Sequence, residues 1–260
     1  MFPHHRRAID SLTETFSGDP EPTAVYLAGS IAHGFASEES DINLVIVVPD
    51  DVHARREREG QLQFFDVDHC DWPGGYAEGK YVSESFLEQV AERGSEPARF
   101  ALHDAQPLVA RSDYSDVFSR IARYPVEGKT ERLRSFFAQV EAWHWYVGEA
   151  LRRDDRYLLA TAVSKLVLFG GRMVLAHNEV LYPYHKWFMR VLASVADAPD
   201  GLMSAMHALL DDPQQGHADG VRELCIMHGE WQPPPEGWPT RFLHDSELNW
   251  IDHTPPVDDL

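Results

Sequence analysis

Ala28-Gly29-Ser30-Ile31-Ala32-His33-Gly34-Phe35-Ala36-Ser37-Glu38-Glu39-Ser40-Asp41-Ile42-Asn43 is the stretch on which the fold turns. It begins where a short β-prone run, Ala24-Val25-Tyr26-Leu27-Ala28, breaks at Gly29-Ser30. It ends by entering Ile42-Asn43-Leu44-Val45-Ile46-Val47-Val48, the strongest strand signal in the chain, which Pro49-Asp50-Asp51 closes. Glycine has no Cβ, so a Gly-Ser pair at a strand end lets backbone N–H groups and a hydroxyl approach phosphate oxygens closely. Residues two apart on a strand share a face, so Asp41 and Asn43 are expected to point together toward the Gly-Ser turn. Oxygen ligands placed there suit a hard divalent cation bridging a triphosphate.

Outward from this stretch, residues 62–69 read as a third strand, on which Asp66 and Asp68 share one face. Either supplies a third carboxylate, as a metal ligand or as a base for an attacking hydroxyl. Residues 7–16 read as a first helix ending at Gly18-Asp19-Pro20. Strand, helical turn, strand and strand open a small mixed α/β sheet. Beyond it, residues 130–153, 156–177, 183–196, 202–210 and 218–228 carry helical spacing of apolar residues. The expected layout is an α/β head over residues 1–112, a helical bundle over 113–230, and an extended Pro- and Trp-rich tail over 231–260.

Composition narrows the function classes. Acidic residues outnumber basic ones 42 to 23, for a formal charge of -19, which disfavours a long nucleic-acid substrate and favours a cationic small molecule. The two cysteines, Cys70 and Cys225, form no CxxC pair, so neither a disulfide framework nor a thiolate zinc site is expected. The N-terminus has no apolar h-region and runs such as residues 44–48 are far shorter than a membrane span, so a cytoplasmic protein without membrane contact is expected. His4, His5, His69, His103, His144 and His177 show no metal-ligand spacing, and His33 reads as a solvated loop residue. Trp143-His144-Trp145-Tyr146 could wall an acceptor pocket, but at helical spacing such residues fit a core better.

The Gly-Ser…Ser-Asp-x-Asn run resembles the signature of the DNA polymerase beta-like nucleotidyltransferase superfamily: Gly-Ser, a spacer, then Asp-x-Asp or Asp-x-Glu. The spacing from Gly29-Ser30 to Ser40-Asp41 is similar to that of the aminoglycoside adenylyltransferases, which join an α/β head to a C-terminal helical domain. The resemblance implies that Gly29, Ser30 and Ser40 meet the triphosphate and that Asp41 and Asn43 hold Mg2+. It implies that Asp66, or failing that Asp68, is the third carboxylate. It also implies that Arg172 and Lys186 reach the phosphates, with Lys165 a weaker candidate. The implied reaction moves a nucleoside monophosphate, AMP from ATP, to a hydroxyl of a small-molecule acceptor. One departure matters: Asn43 stands where the family has a second acidic residue. A neutral amide oxygen ligates a cation but neutralises none of its charge. The alternative reading is therefore a weakened or inactive relative that binds nucleotide or a protein partner.

Overall fold

The two apolar runs around the Gly-Ser turn are antiparallel neighbours, β1 (Ala24–Ala28) and β2 (Ile42–Val48), with Ala28 opposite Asn43 and Ala24 opposite Val47. The structure, a computed structural model, describes residues 1–229 and 231–251. The chain divides into two compact units, Met1–Tyr124 and Pro125–Leu260.

In the first unit, α1 (Pro3–Gly18) precedes β1, and Pro3 occupies its first turn, where a missing N–H costs nothing. Between β1 and β2 lies the single turn α2 (Gly29–Ala32). After β2 come α3 (Asp50–Arg58), β3 (Gln63–Asp66), β4 (Ala77–Ser83), α4 (Glu84–Arg93), α5 (Glu96–Leu102), β5 (Gln106–Ala110) and α6 (Ser115–Ile121). Ser83 and Ser95 cap α4 and α5 by accepting from the N–H groups of Phe86 and Ala98. The five strands order as β3-β4-β2-β1-β5, with β2 and β4 parallel and the other pairs antiparallel.

Strand parity divides the core in two. Val25, Leu27, Ile42, Leu44, Ile46 and Val48 pack on Ala8, Ile9, Leu12 and Phe16 of α1. The opposite face, with Ala24, Tyr26, Ala28, Val45, Val47 and Val82, packs on Leu87 and Val90 of α4 and on Val117 and Ile121 of α6. Residues 113–121 thus belong with the head, beyond the expected limit at 112. Strands β4 and β5 were not anticipated from the sequence.

The second unit is helical. Asp154, at φ +54°, turns α7 (Lys129–Arg153) back onto α8 (Arg156–His177), which Asp155 caps through Leu158 N–H at 3.0 Å. Then follow a 3-10 turn at His185–Trp187, α9 (Phe188–Leu192), α10 (Leu202–Asp211) and α11 (Gln215–His228). The expected long helix over 183–196 is shorter because Tyr184 adopts φ +65° just before the 3-10 turn. The expected extended tail is instead wound into α12 (Trp238–Phe242) and short turns at Leu243–Glu247 and Asn249–Ile251. Phe242 of α12 packs on Trp143 and Tyr146 of α7, whereas Trp250 and Ile251 are exposed. Residues 252–260 of the expected tail lie outside the described residues. Among the described residues, only α8 is long and apolar enough to cross a membrane by length and composition. Half of that stretch is buried inside the structure, and a Cβ at its Gly171 would come within 2.3 Å of Phe188. A helix packed this closely against protein is a core helix.

Candidate active site on the open sheet face

Gly29 adopts φ +66°, and a Cβ built on it would sit 2.8 Å from the Asn43 Cβ and 2.9 Å from its Cγ. Only glycine allows both the left-handed backbone and the close approach of the Asn43 side chain. The loop that follows closes on itself through Phe35 N–H to the Ser30 carbonyl at 2.8 Å and His33 N–H to the Gly29 carbonyl at 3.1 Å. Ser30 is 6% exposed, and its buried hydroxyl has no hydrogen-bond partner among the described residues. A buried polar atom left unpaired is uncommon in a folded protein and calls for an explanation.

Asn43 lies on the face of the sheet that α4 and α6 only partly cover. The parallel register of β2 and β4 sets Ile42 beside Ala77 and Asn43 beside Glu78. Neighbours in register point to the same side of a sheet, so Glu78 faces the Asn43 side. Asp41 directly precedes β2, two residues before Asn43, and its carboxylate lies near the Tyr76 hydroxyl. The Asp41 charge, then burial and the Glu78 charge, push that hydroxyl above its ordinary pKa. One phenol thus senses both carboxylates. Phe65, paired with Glu78 across β3 and β4, is 67% exposed and stacks on Tyr76 with ring centres 5.5 Å apart. The face therefore carries two carboxylates, one amide oxygen and an aromatic platform.

Asp66 is not part of it. It pairs with Ala77, which belongs to the α1 side of the core, so its side chain leaves the sheet on the other face. There it accepts from the His69 backbone N–H at 3.0 Å and from the His69 ring at 2.8 Å. Burial opposes ionisation, but these bonds hold the Asp66 carboxyl below its usual range. β3 ends at Asp66, so Asp68 falls in the exposed turn beyond it and shares no strand face with Asp66. The expectation that Asp66 and Asp68 share one strand face is thus corrected, and of the acidic side chains on the neighbouring strands, Glu78 is the one aligned with Asn43. The alternation Ala77-Glu78-Gly79-Lys80-Tyr81 was the signal for it, though small residues make that strand pattern weak.

Ser40 holds the loop. Its hydroxyl accepts from Ser37 N–H at 2.9 Å, while Ser40 N–H donates to the Ser37 carbonyl at 3.2 Å. His4 bonds the Glu38 carbonyl at 2.9 Å, and the fully buried His5 sits between His4 and Trp72 beneath the same loop. His33 is not solvated. Its side chain is 3% exposed, stacks on Phe100 at 4.5 Å, and is kept largely neutral by burial despite Asp104 at 3.3 Å.

Arg172 and Lys186 lie in the second unit. The Arg172 guanidinium rests over the rings of Phe136 and Tyr182 at 4.5 and 4.3 Å, and Lys186 is exposed in the 3-10 turn beside Trp187. Of the aromatic run on α7, Trp143 packs on Tyr146 and donates to Gln139 at 2.7 Å, whereas Trp145 is 52% exposed.

A mixed sheet whose first two strands frame a glycine-serine turn, with carboxylates on the adjoining open face, has the chemistry that a metal–triphosphate would need. Residues 6–73 match the family model described as nucleotidyltransferase domain. The first unit carries a nucleotidyltransferase domain of the polymerase beta-like superfamily. The matched span covers Gly29, Ser30, Asp41 and Asn43 and stops short of Glu78. A crystal structure of a nucleotidyltransferase-like protein from Exiguobacterium sibiricum is similar over 97% of this chain and 81% of its own, with a TM-score of 0.47 and 11% identity. No curated protein matches the sequence significantly.

Proposed function

We propose that the protein transfers a nucleoside monophosphate, AMP from ATP, to a hydroxyl of a small-molecule acceptor. What supports this reading is the register that sets Asn43 beside Glu78 next to the Gly29-Ser30 turn, with Asp41 just ahead of β2 and near Tyr76. That donor set fits magnesium: two carboxylates and an amide oxygen, all hard ligands, with room for phosphate oxygens and water. When bound, the ion neutralises charge on the triphosphate and polarises its α-phosphorus.

The chain's own residues do the rest. The Gly29–Phe35 loop seats the phosphates. The Ser30 hydroxyl has no bond to give up, so turning toward a phosphate oxygen costs it little. Asp41, Asn43 and Glu78 would hold the ion, and Glu78, more exposed than Asp41, accepts the proton of the acceptor hydroxyl. The acceptor oxygen then bonds to the α-phosphorus as the bond to the β-phosphate breaks, releasing pyrophosphate. Phe65 and Tyr76 offer an apolar floor for a sugar ring. The charge of -19 favours a cationic acceptor such as an aminoglycoside. A phosphate role for Arg172, Lys186 or Lys165 rests on the family resemblance, and single alanine variants test it through ATP affinity.

The test uses radiolabelled ATP, magnesium and a panel of hydroxylated acceptors. Transfer that falls by about 100- to 1,000-fold in Glu78→Gln and survives in Asp66→Asn supports the assignment. Equal loss in both variants contradicts it. Asn43 favours one competing reading, a domain that binds nucleotide without turnover, whose signature is tight ATP binding with no transfer to any acceptor.

A further inference from the structure

The second unit brings together three side chains that the sequence spacing does not connect. His177 ends α8, His228 ends α11, and Asp197 sits in the 193–201 connection between α9 and α10. The Asp197 carboxylate lies 2.7 Å from His177 Nε2 through Oδ2 and 3.1 Å from His228 Nε2 through Oδ1. One ligand atom from each residue lies within 4.8 Å of the other two. We propose that these three residues bind a divalent transition-metal ion, zinc by preference, which staples the ends of α8 and α11 to the 193–201 connection.

The ring geometry supports the assignment. A metal about 2.1 Å from an imidazole nitrogen lies about 3.2 Å from the ring centre, so two rings at the tetrahedral angle stand about 5.2 Å apart. The His177 and His228 ring centres are 5.5 Å apart and their planes cross at 74°. A second histidine–aspartate group, His33, His103 and Asp104, fails the same comparison. Its rings lie 6.4 Å apart and nearly parallel at 23°, which would set them on opposite sides of an ion. The Nε2 of His228 is buried and has no hydrogen bond among the described residues, although a carboxylate oxygen is 3.1 Å away.

Outer contacts hold the donors in position, as metal ligands require. Asn178 grips the backbone of Asp197 from both sides, donating from Nδ2 to its carbonyl at 2.6 Å and accepting its N–H at 3.0 Å. Lys129 Nζ donates to the His177 carbonyl at 3.2 Å. Trp231 packs edge-on against the His177 ring at 5.5 Å and is itself tied to the Cys225 carbonyl at 2.7 Å. Asp197 is 61% exposed, which leaves solvent access for a fourth, water ligand. Two imidazoles and one carboxylate suit zinc, whereas magnesium and calcium take all-oxygen sets.

The test takes chelator-stripped full-length protein in excess magnesium, added to compete for the oxygen-rich face of the first unit, and titrates it with cobalt(II) and then zinc. The proposal expects one equivalent of cobalt with the intense visible bands of a tetrahedral ion, displaced by zinc, and a zinc-dependent rise in unfolding temperature. Asp197→Ala and His228→Gln abolish the bands, His103→Ala keeps them, and Asn178→Ala weakens zinc affinity by about 10- to 100-fold. A pale octahedral spectrum for the wild-type protein overturns the proposal without recourse to any variant. So do bands that survive Asp197→Ala or vanish in His103→Ala. None of these outcomes depends on nucleotidyl transfer.

Discussion

Replacing Gly29 by alanine probes the geometry on which the site depends. Two costs arise there: the left-handed backbone at φ +66°, and a Cβ 2.8 Å from the Asn43 Cβ. Holding alanine in the left-handed region costs about 1–2 kcal/mol, partly offset by about 0.4–1 kcal/mol from a stiffer unfolded chain. Forcing a methyl into a filled space costs a further 1–3 kcal/mol or so. Gly34, in the same loop, has φ +73° but nothing within 4 Å of a built Cβ, so Gly34→Ala carries the backbone cost alone. Denaturant unfolding should therefore show Gly34→Ala destabilised by about 1 kcal/mol and Gly29→Ala by about 2–4 kcal/mol. Asn43→Gly removes all three atoms nearest the added methyl, so adding it to Gly29→Ala should recover about 1–3 kcal/mol in a double-mutant cycle. Equal destabilisation of Gly29→Ala and Gly34→Ala, or no coupling with Asn43, would refute the packing of Gly29 against Asn43.

Other expectations follow from the same face and its surroundings. Ser30→Ala removes a buried unpaired hydroxyl, so it should leave the fold as stable or more stable by about 1 kcal/mol while weakening triphosphate binding; calorimetry of both properties checks this. Asn43→Asp supplies a charged ligand and should raise metal affinity and transfer rate, as magnesium titrations of activity would reveal. Asp66, whose folded pKa is lowered, binds fewer protons in the folded state, so it adds stability above its unfolded pKa of about 3.9. That contribution disappears as pH falls through the folded value, so the stability gap between wild type and Asp66→Asn should close on acidification. Burial pushes the Cys70 thiol up to about 11 and the Cys225 thiol up to about 12, so neither should alkylate at neutral pH until the protein is unfolded.

The reasons some of this was legible in the sequence are physical. Contiguous apolar runs flanked by breakers made β1 and β2 plain, and the 3.6-residue period made α7 and α8 plain. Strand β4 was hidden because Glu78, Gly79 and Lys80 dilute its apolar signal, and because a parallel partner is joined to β2 by a long crossover. Glu78 gains its place only through the register that sets it beside Asn43. Asp66 shows the converse failure. Being on a strand near the site was a sound inference, but strand faces alternate, and its pairing with Ala77 turned it toward α1. His177, Asp197 and His228 belong to three segments that meet only in three dimensions, so no local spacing could announce them.

Crystals grown with manganese and a non-hydrolysable ATP analogue give the most direct test of the nucleotide site. The account predicts an anomalous manganese peak coordinated by Asp41 and Glu78, with Asn43 in reach and the triphosphate along the Gly29–Phe35 loop. A peak on the α1 side of the sheet at Asp66, or a triphosphate bound away from Gly29, would contradict it.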